Sequence, residues 1–318
     1  MIENNLNYQA QKNKFIAYYQ QNIVPALMPL EKIRKKYLQI FIAICICIMV
    51  WVSYVIINLR TIFNPENSSS DMLTGLLPCL LILLLCFPMF SYYKRSKENL
   101  LPLVAGFFGK FDYIYQPNLS EEMLQKSRIV KEYDKLTTDD SFNGLYDNLP
   151  VMITEYTCYK YQQPTKERPQ ASYKKQSHGI FFLAKMNKKF DGQTIVVKDK
   201  GILNKLAHYK NLAKVGLEST EFEAKYEVYS DNQIEARYIL TPVMLEYMLA
   251  LKASFTQTEY SFFDNHLFMN IEIKKNYFEA SNFFQSILNQ KNIEKIFTEL
   301  YLLFSIVQTL QLSQQKLL

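Results

Sequence analysis

The sequence predicts an α+β domain tied to a membrane by a two-helix transmembrane hairpin, and three observations lead there. Residues 37–59 contain no charged side chain, and residues 72–93 contain none either. Each run meets the roughly 20 residues that a helix needs to cross about 30 Å of hydrocarbon. Beyond them, short alternating or apolar runs with Asp-Asn turns are interleaved with capped helices, the mixture expected of antiparallel hairpins with packed helices.

The spans come first because they order the rest. Lys36 and Arg60 close the first, Asp71 and Lys94 the second. Two helices of a soluble core would carry a polar stripe, and neither run has one. Lys32, Arg34, Lys35 and Lys36 precede the first span and Lys94, Arg95 and Lys97 follow the second, whereas the loop 60–71 sets Arg60 against Glu66 and Asp71. Basic flanks stay cytoplasmic, so both termini are expected on that side. A cleaved signal peptide does not fit, because the first run starts late, is long and is followed by another. Inside the spans only cysteine and tyrosine can ionise, which disfavours an ion pathway and leaves an anchor. The expected division is a cytoplasmic amphipathic and basic segment (1–36), the hairpin (37–93), juxtamembrane helices (94–135) and a cytoplasmic α+β domain (136–318).

Composition narrows the partners. The net charge of +6 gathers beside the spans, where it would meet anionic head groups, and no basic stripe with interleaved aromatics marks a nucleic-acid surface. Of the five cysteines, Cys45, Cys47, Cys79 and Cys86 lie in the spans and leave Cys158 alone. A disulfide framework and a cysteine-based zinc site are thereby excluded from the rest of the chain, in keeping with a reducing compartment.

Taken in order, Leu6, Ala10, Phe15, Tyr18, Tyr19 and Ile23 share one face of a helix that Pro25 and Pro29 are expected to interrupt, before residues 30–36 run into the first span. Residues 96–110 read as a helix and 112–116 as extended. Ser120 stands as an N-cap with Glu121 and Glu122 in the first turn of a helix reaching about residue 135. The period then changes. Residues 142–146 and 149–161 form a hairpin bent at Asp147-Asn148, and 162–178, with its prolines and basic residues, reads as an exposed loop. Buried strands follow at 179–186 and 194–198, a helix at 201–214, a half-buried strand at 222–229 and a further extended piece at 233–240. Thr241-Pro242 opens a helix striped by Val243, Met244, Tyr247, Met248 and Leu251. A second hairpin, 259–263 with 266–273, bends at Asp264-Asn265, and helices at 281–288 and 293–312 close the chain.

Chemistry is sparse. His178, His208 and His266 stand far apart without the spacing of a zinc hydrolase, and neither a phosphate-cradling glycine loop nor a nucleophile elbow occurs. No catalytic, cofactor-binding or metal residue is assigned, and no cofactor is expected. The polar residues to follow are Asp231, Glu235 and Arg237, the last two sharing a face if 233–240 is a strand, with Asp264 and His266 at the second hairpin turn. The apolar face of the last helix, with Ile293, Ile296, Leu300, Phe304 and Val307, either covers the chain's own sheet or forms a seam with another molecule.

The blocks 180–196 (IFFLAKMNKKFDGQTIV) and 228–251 (VYSDNQIEARYILTPVMLEYMLAL), the string FFDNHLFMNIE at 262–272 and Phe278-Glu279-Ala280-Ser281 together resemble the bacterial membrane proteins grouped as the DUF3137 family. The likeness runs from about Leu30 to Leu312 and follows the pattern less closely over 119–161. It implies a bacterial inner-membrane protein with its domain in the cytoplasm, and a partnership with a LemA-type membrane protein, whose genes often lie beside those of the family. It supplies no catalytic residue. The expected role is a membrane-anchored interaction module that binds another protein or a second copy of itself. The alternatives are a membrane-tethered enzyme and a small-molecule or lipid sensor.

Overall fold

Residues 6–57, 92–164, 166, 169–186, 189–199, 209, 211–255, 257–280 and 282–315 are described by a computed structural model of the chain. They fall into two compact units, Met1–Phe107 with Glu279–Phe297, and Phe108–Phe278 with Thr298–Leu318.

The first unit is helical. Helix α1 (Leu6–Tyr18) passes through a π-helical turn (Tyr19–Ile23) into α2 (Val24–Ile57). The expected interruption at Pro25 and Pro29 does not occur. Proline has no N–H and crowds the carbonyl four residues back. The wider π turn lies directly ahead of Pro25, and Pro29 sits inside α2. A third helix, α3, covers residues 92–105. It begins earlier than the expected 96–110 helix and takes in the last residues of the expected second span, the rest of which lies outside the described residues.

Aromatic packing holds α1. The Phe15 ring stacks on Phe297 at 4.3 Å and meets the edge of Phe107 at 5.3 Å, and Tyr19 donates its hydroxyl to the Leu288 carbonyl at 2.8 Å. About three turns into α2, the buried Arg34 donates two hydrogen bonds to the buried Glu31 (2.7 and 2.9 Å) and a third to the Phe283 carbonyl (3.1 Å). Glu31 also accepts from the Ile287 N–H at 3.2 Å. Residues 282–288 are therefore held as turns rather than the expected helix, their backbone groups bonding to α2 side chains. Past residue 36 the character of α2 changes. Ile42, Ile46, Met49, Val50, Ile56 and Ile57 are exposed, and the helix is long and apolar enough to cross a membrane.

The second unit is built on a nine-stranded antiparallel sheet: β1 (Lys110–Tyr115), β2 (Lys135–Tyr146), β3 (Leu149–Gln162), β4 (Ser172–Lys185), β5 (Thr194–Lys198), β6 (Ala213–Val215), β7 (Tyr226–Ser230), β8 (Gln257–Phe263) and β9 (His266–Glu272). Their spatial order is β1-β2-β3-β4-β9-β8-β5-β7-β6. Both expected Asp-Asn bends are hairpin turns, with φ of 49° and 64° at Asp147 and Asn148 and 48° and 61° at Asp264 and Asn265, the left-handed pair that suits strand twist.

Pairing aligns Phe142, Ile153, Phe182, Met269, Tyr260, Val196 and Val228 as one buried row across seven strands. Phe278 packs on Phe142 at 5.1 Å. A second core gathers Tyr156, Phe181, Phe268, Ile195 and Tyr229 with Leu124 and Ile129. Leu124 belongs to α4 (Glu121–Ser127), whose N-cap is Ser120 as expected. This helix stops well before residue 135, because Arg128 takes the left-handed conformation (φ 60°). The chain then enters β2 earlier than the expected 142.

Three further expectations are corrected. The second half of the expected loop 162–178 is strand, since β4 starts at Ser172 and pairs with β3 along Gln162–Tyr159 despite its polar surface. The run 222–229 is not one strand: Ser219 caps the short helix α5 (Thr220–Glu223), and only Tyr226 onward is extended. Residues 233–240 form helix α6 (Gln233–Ile239), because the Asn232 side chain accepts from the Glu235 N–H and starts a helical turn. Helix α7 (Pro242–Ser254) follows with Thr241 as its cap, as expected. Residues 201–208 of the expected 201–214 helix lie outside the described residues, and Ala213–Val215 is strand. The chain ends in α8 (Gln290–Gln315), longer than the expected 293–312.

Candidate functional site

Polar side chains converge at two places in the second unit, and at a third a cleft opens.

The first convergence contains three of the five residues singled out in the sequence. The loop entering β5 presents four consecutive backbone N–H groups, and each donates to a side chain. Phe190 donates to Asn265 Oδ1 (2.9 Å), Asp191 and Gly192 to the two oxygens of Glu235 (both 2.9 Å), and Gln193 to Asp231 Oδ1 (2.8 Å). A Cβ on Gly192 would lie 2.5 Å from Asp231 Oδ1 and 2.8 Å from Glu235 Oε2, so this close approach requires glycine. Asp264 joins from the neighbouring turn through Lys126 Nζ at 3.3 Å, and the Lys126 carbonyl accepts from Gln193 Nε2 at 2.6 Å. Asp231 and Glu235 are thus engaged in capping backbone, which is a structural task.

Arg237 and His266 stand apart from that assembly. Because 233–239 is helical, Glu235 and Arg237 point to different sides rather than sharing a face. Arg237 reaches the Gly216 carbonyl at 3.4 Å and lines a cleft of about 530 Å³ with Leu217, Leu240, Leu245 and Leu249. Beyond the cleft lining, α6 leaves Ile234 (83% exposed) and Tyr238 (50%) on its surface. His266 Nδ1 lies 2.7 Å from the Asp264 carbonyl within its own turn. In α8, Ile293, Ile296, Leu300, Phe304 and Val307 are all buried.

The second convergence was not legible in the sequence. Strand β2 bulges: Thr138 pairs with Tyr156 and Ser141 with Thr154, so Asp139 and Asp140 together stand against Glu155. Oxygens of these three carboxylates lie within 4.8 Å of one another, and Asp140 and Glu155 are buried. Tyr113 Oη donates to Asp140 Oδ1 at 2.5 Å. His178, on β4, brings Nε2 to 3.3 Å from Glu155 Oε1, while Nδ1 is 2.9 Å from the Tyr156 carbonyl and 3.0 Å from Thr157 Oγ1. A carbonyl only accepts, so Nδ1 carries the proton. Burial first, and then the Lys175 charge, hold the imidazole below its ordinary pKa despite Tyr156, Asn276 and Asp139. Cys158, two residues beyond Tyr156, is buried and its thiol is pushed up by that burial, which makes it a poor nucleophile.

Comparison with known proteins adds a likeness to one family over part of the chain. No curated protein matches the sequence. Among solved structures, the crystal structure of the mycobacterial trehalose monomycolate transport factor A, TtfA, is similar at 14% identity and a TM-score of 0.35, over 65% of this chain and 96% of that one. Residues 176–312 match the model described as "Protein of unknown function (DUF3137)", a shorter stretch than the resemblance read from the sequence. Both strings that meet at Gly192, FDGQT and EARYILTP, lie inside it. The similarity to that family is carried by residues 176–312, less than half of the chain.

Proposed function

We propose that this chain is a membrane-anchored interaction protein that presents its α+β unit to a protein partner and performs no catalysis of its own. The observation that carries the reading is the far half of α2, whose apolar side chains are exposed over a stretch that is long and apolar enough to cross a membrane. Water would not tolerate that surface, and lipid would. The second span at 72–93, the outside loop 60–71, the division at residues 36, 93 and 135, and cytoplasmic placement of both termini at a bacterial inner membrane belong to the same proposal. A LemA-type membrane protein or a second copy of this chain is the partner that the family resemblance suggests.

The buried row of α8 does not serve as the docking face in this reading. Exposed Ile234 and Tyr238, one helical turn apart on α6, are better placed. The test is mild cross-linking of the full-length chain in its native membrane, beside an Ile234→Asp, Tyr238→Asp variant. Both positions are exposed, so the variant should fold and insert as the wild type does. Capture of one defined partner by the wild type and its loss from the variant is the expected result. Release of the wild-type chain from membranes by alkaline carbonate would sink the anchoring half of the proposal. Equal capture by both chains would remove α6 as the docking face.

A further inference from the structure

Strands β3 and β4 run past the start of β2 as a two-stranded ribbon. Strand β2 begins at Lys135, opposite Tyr159, whereas β3 continues to Gln162 and β4 begins at Ser172. Register gathers the side chains of that end on one face. Lys135 pairs with Tyr159, Tyr159 with Lys175 and Tyr161 with Tyr173, and residues two apart on a strand share a side. The face therefore carries three tyrosines and two lysines, while Lys174, opposite Lys160, lies on the reverse of the ribbon.

Tyr161 and Tyr173 are 44% and 51% exposed, and their rings meet edge to face at 5.6 Å. Lys135 Nζ stands over the Tyr173 ring, 5.6 Å from its centre. Among the described residues, Lys135, Lys174 and Lys175 form no ion pair, because Asp134, an acid that adjoins the ribbon, is held by Lys160 at 3.2 Å and accepts the Tyr161 N–H at 2.7 Å. An exposed tyrosine alone is ordinary. Exposed rings joined to unpaired lysines on one sheet face have the composition of a water–lipid boundary. Tyrosine sets an apolar body and a polar tip at headgroup depth, and the lysine stem keeps its ammonium among phosphates. Nucleic acid offers phosphates too, but its bases stack on rings whose faces are open. Here Lys135 covers one face of Tyr173 and Tyr161 meets that ring edge-on. A chain anchored through α2 also stays beside lipid, so weak contacts suffice.

We propose that Lys135, Tyr159, Tyr161, Tyr173 and Lys175, with Lys174 behind them, rest on the anionic headgroups of the bilayer that anchors the chain. The contact rests on the anchoring reading and is separate from the α6 surface. Lipid phosphates meet the ammonium groups, and the two exposed rings enter the headgroup layer. Such a contact selects anionic lipid and weakens with salt.

The test uses the full-length chain in nanodiscs whose lipid acyl chains are brominated, since bromine quenches nearby indole emission. Trp51, in α2, is the sole tryptophan and reports the anchor. A second chain, carrying Trp51→Phe and Tyr173→Trp, reports the ribbon. Discs contain phosphatidylcholine alone, or equal parts phosphatidylcholine and phosphatidylglycerol. Trp51 should be quenched in both. The indole placed by Tyr173→Trp should be quenched only in the anionic discs, and high salt should release it. Each lysine near an anionic surface contributes roughly a 5-fold change, so adding Lys135→Gln and Lys175→Gln should shift the contact roughly 25-fold and remove most of that quenching. Both lysines are exposed, and far-UV circular dichroism checks that every variant is folded. An unquenched indole at position 173, in anionic discs that quench Trp51, would overturn the proposal and leave the anchor standing. Equal quenching in neutral discs, or in the lysine variants, would overturn it as well. An unquenched Trp51 would instead refute the anchor on which the contact rests. Emission at position 173 that responds to a single-stranded oligonucleotide but not to anionic lipid would overturn the proposal in favour of nucleic acid.

Discussion

Replacing Glu235 by alanine removes the acceptor for two backbone donors at once. Asp191 and Gly192 each give it a hydrogen bond of 2.9 Å, and the carboxylate sits in the first turn of α6, where negative charge suits the helix. A hydrogen bond to a charged group contributes about 1.5–3 kcal/mol when buried. Glu235 is only half-buried, so about 1 kcal/mol for each bond is the better figure, with about 0.5 kcal/mol from the helix dipole. Alanine's higher helix propensity returns a few tenths. The net loss is about 2 kcal/mol, close to a 30-fold change in a local opening equilibrium. Because the lost bonds secure only the loop before β5, the effect should be local. Amide hydrogen exchange on the full-length protein should show Asp191 and Gly192 exchanging about 30-fold faster, with Phe182 and Met269 in the sheet unchanged. Glu235→Gln keeps one acceptor oxygen and should give roughly half the effect in free energy. Unchanged exchange at Asp191 and Gly192 in the alanine variant would refute the clamp. A uniform loss across β4 and β9 would show instead that the loop is part of the global folding unit.

Two further outcomes follow from the first unit. Glu31→Gln leaves Arg34 buried without its counter-charge, a loss of about 3 kcal/mol at neutral pH. Burial pushes the Glu31 carboxyl up, but the Arg34 hydrogen bonds and charge, with the Ile287 N–H and Ser286, outweigh it and hold the group below its ordinary range. Its stabilising contribution is then complete above the unfolded value of about 4.3 and disappears as pH falls through the lower folded value. The melting-temperature gap between wild type and Glu31→Gln should therefore narrow below about pH 4, and a gap constant from pH 7 to pH 3 would contradict this. Phe297→Ala removes a fully buried ring stacked on Phe15 and should lower stability by about 3–5 kcal/mol in thermal unfolding, against less than about 1.5 kcal/mol for Phe297→Leu if repacking succeeds.

What could be read from the residues depended on whether the signal was local. Asp147-Asn148 and Asp264-Asn265 supply two residues that tolerate positive φ between apolar runs, so both hairpins were legible with their turns. Thr241-Pro242 and Ser120 announced helix starts for an equally local reason: a side-chain oxygen accepts an N–H three residues on. Errors arose where local and tertiary demands differ. Residues 233–239 alternate enough to pass for a strand, and only the Asn232 cap argues otherwise. Residues 172–178 look like solvated loop because that end of β4 is polar, yet pairing with β3 alone is enough to keep it extended. Asp139 and Asp140 mislead more deeply. In a regular strand consecutive side chains point to opposite faces, so two adjacent acids suggest a solvent edge, and nothing in the sequence marks the bulge that turns both toward Glu155.

The strings that carry the family resemblance have a different logic. FDGQT and EARYILTP were legible as a signature, and three of the five polar residues chosen from the sequence, Asp231, Glu235 and Asp264, lie on or beside the place where the strings meet. Once assembled, however, the first two are occupied with the N–H groups of residues 191–193, and Gly192 is required so that their oxygens can come close. The signature therefore reports how the loop before β5 is closed rather than what the protein acts on. A surface with unspent capacity lies elsewhere, in the exposed apolar length of α2. Function in this chain is to be sought there, at a place that does not require the Gly192 clamp to do more than close the loop before β5, an interior strand of the sheet.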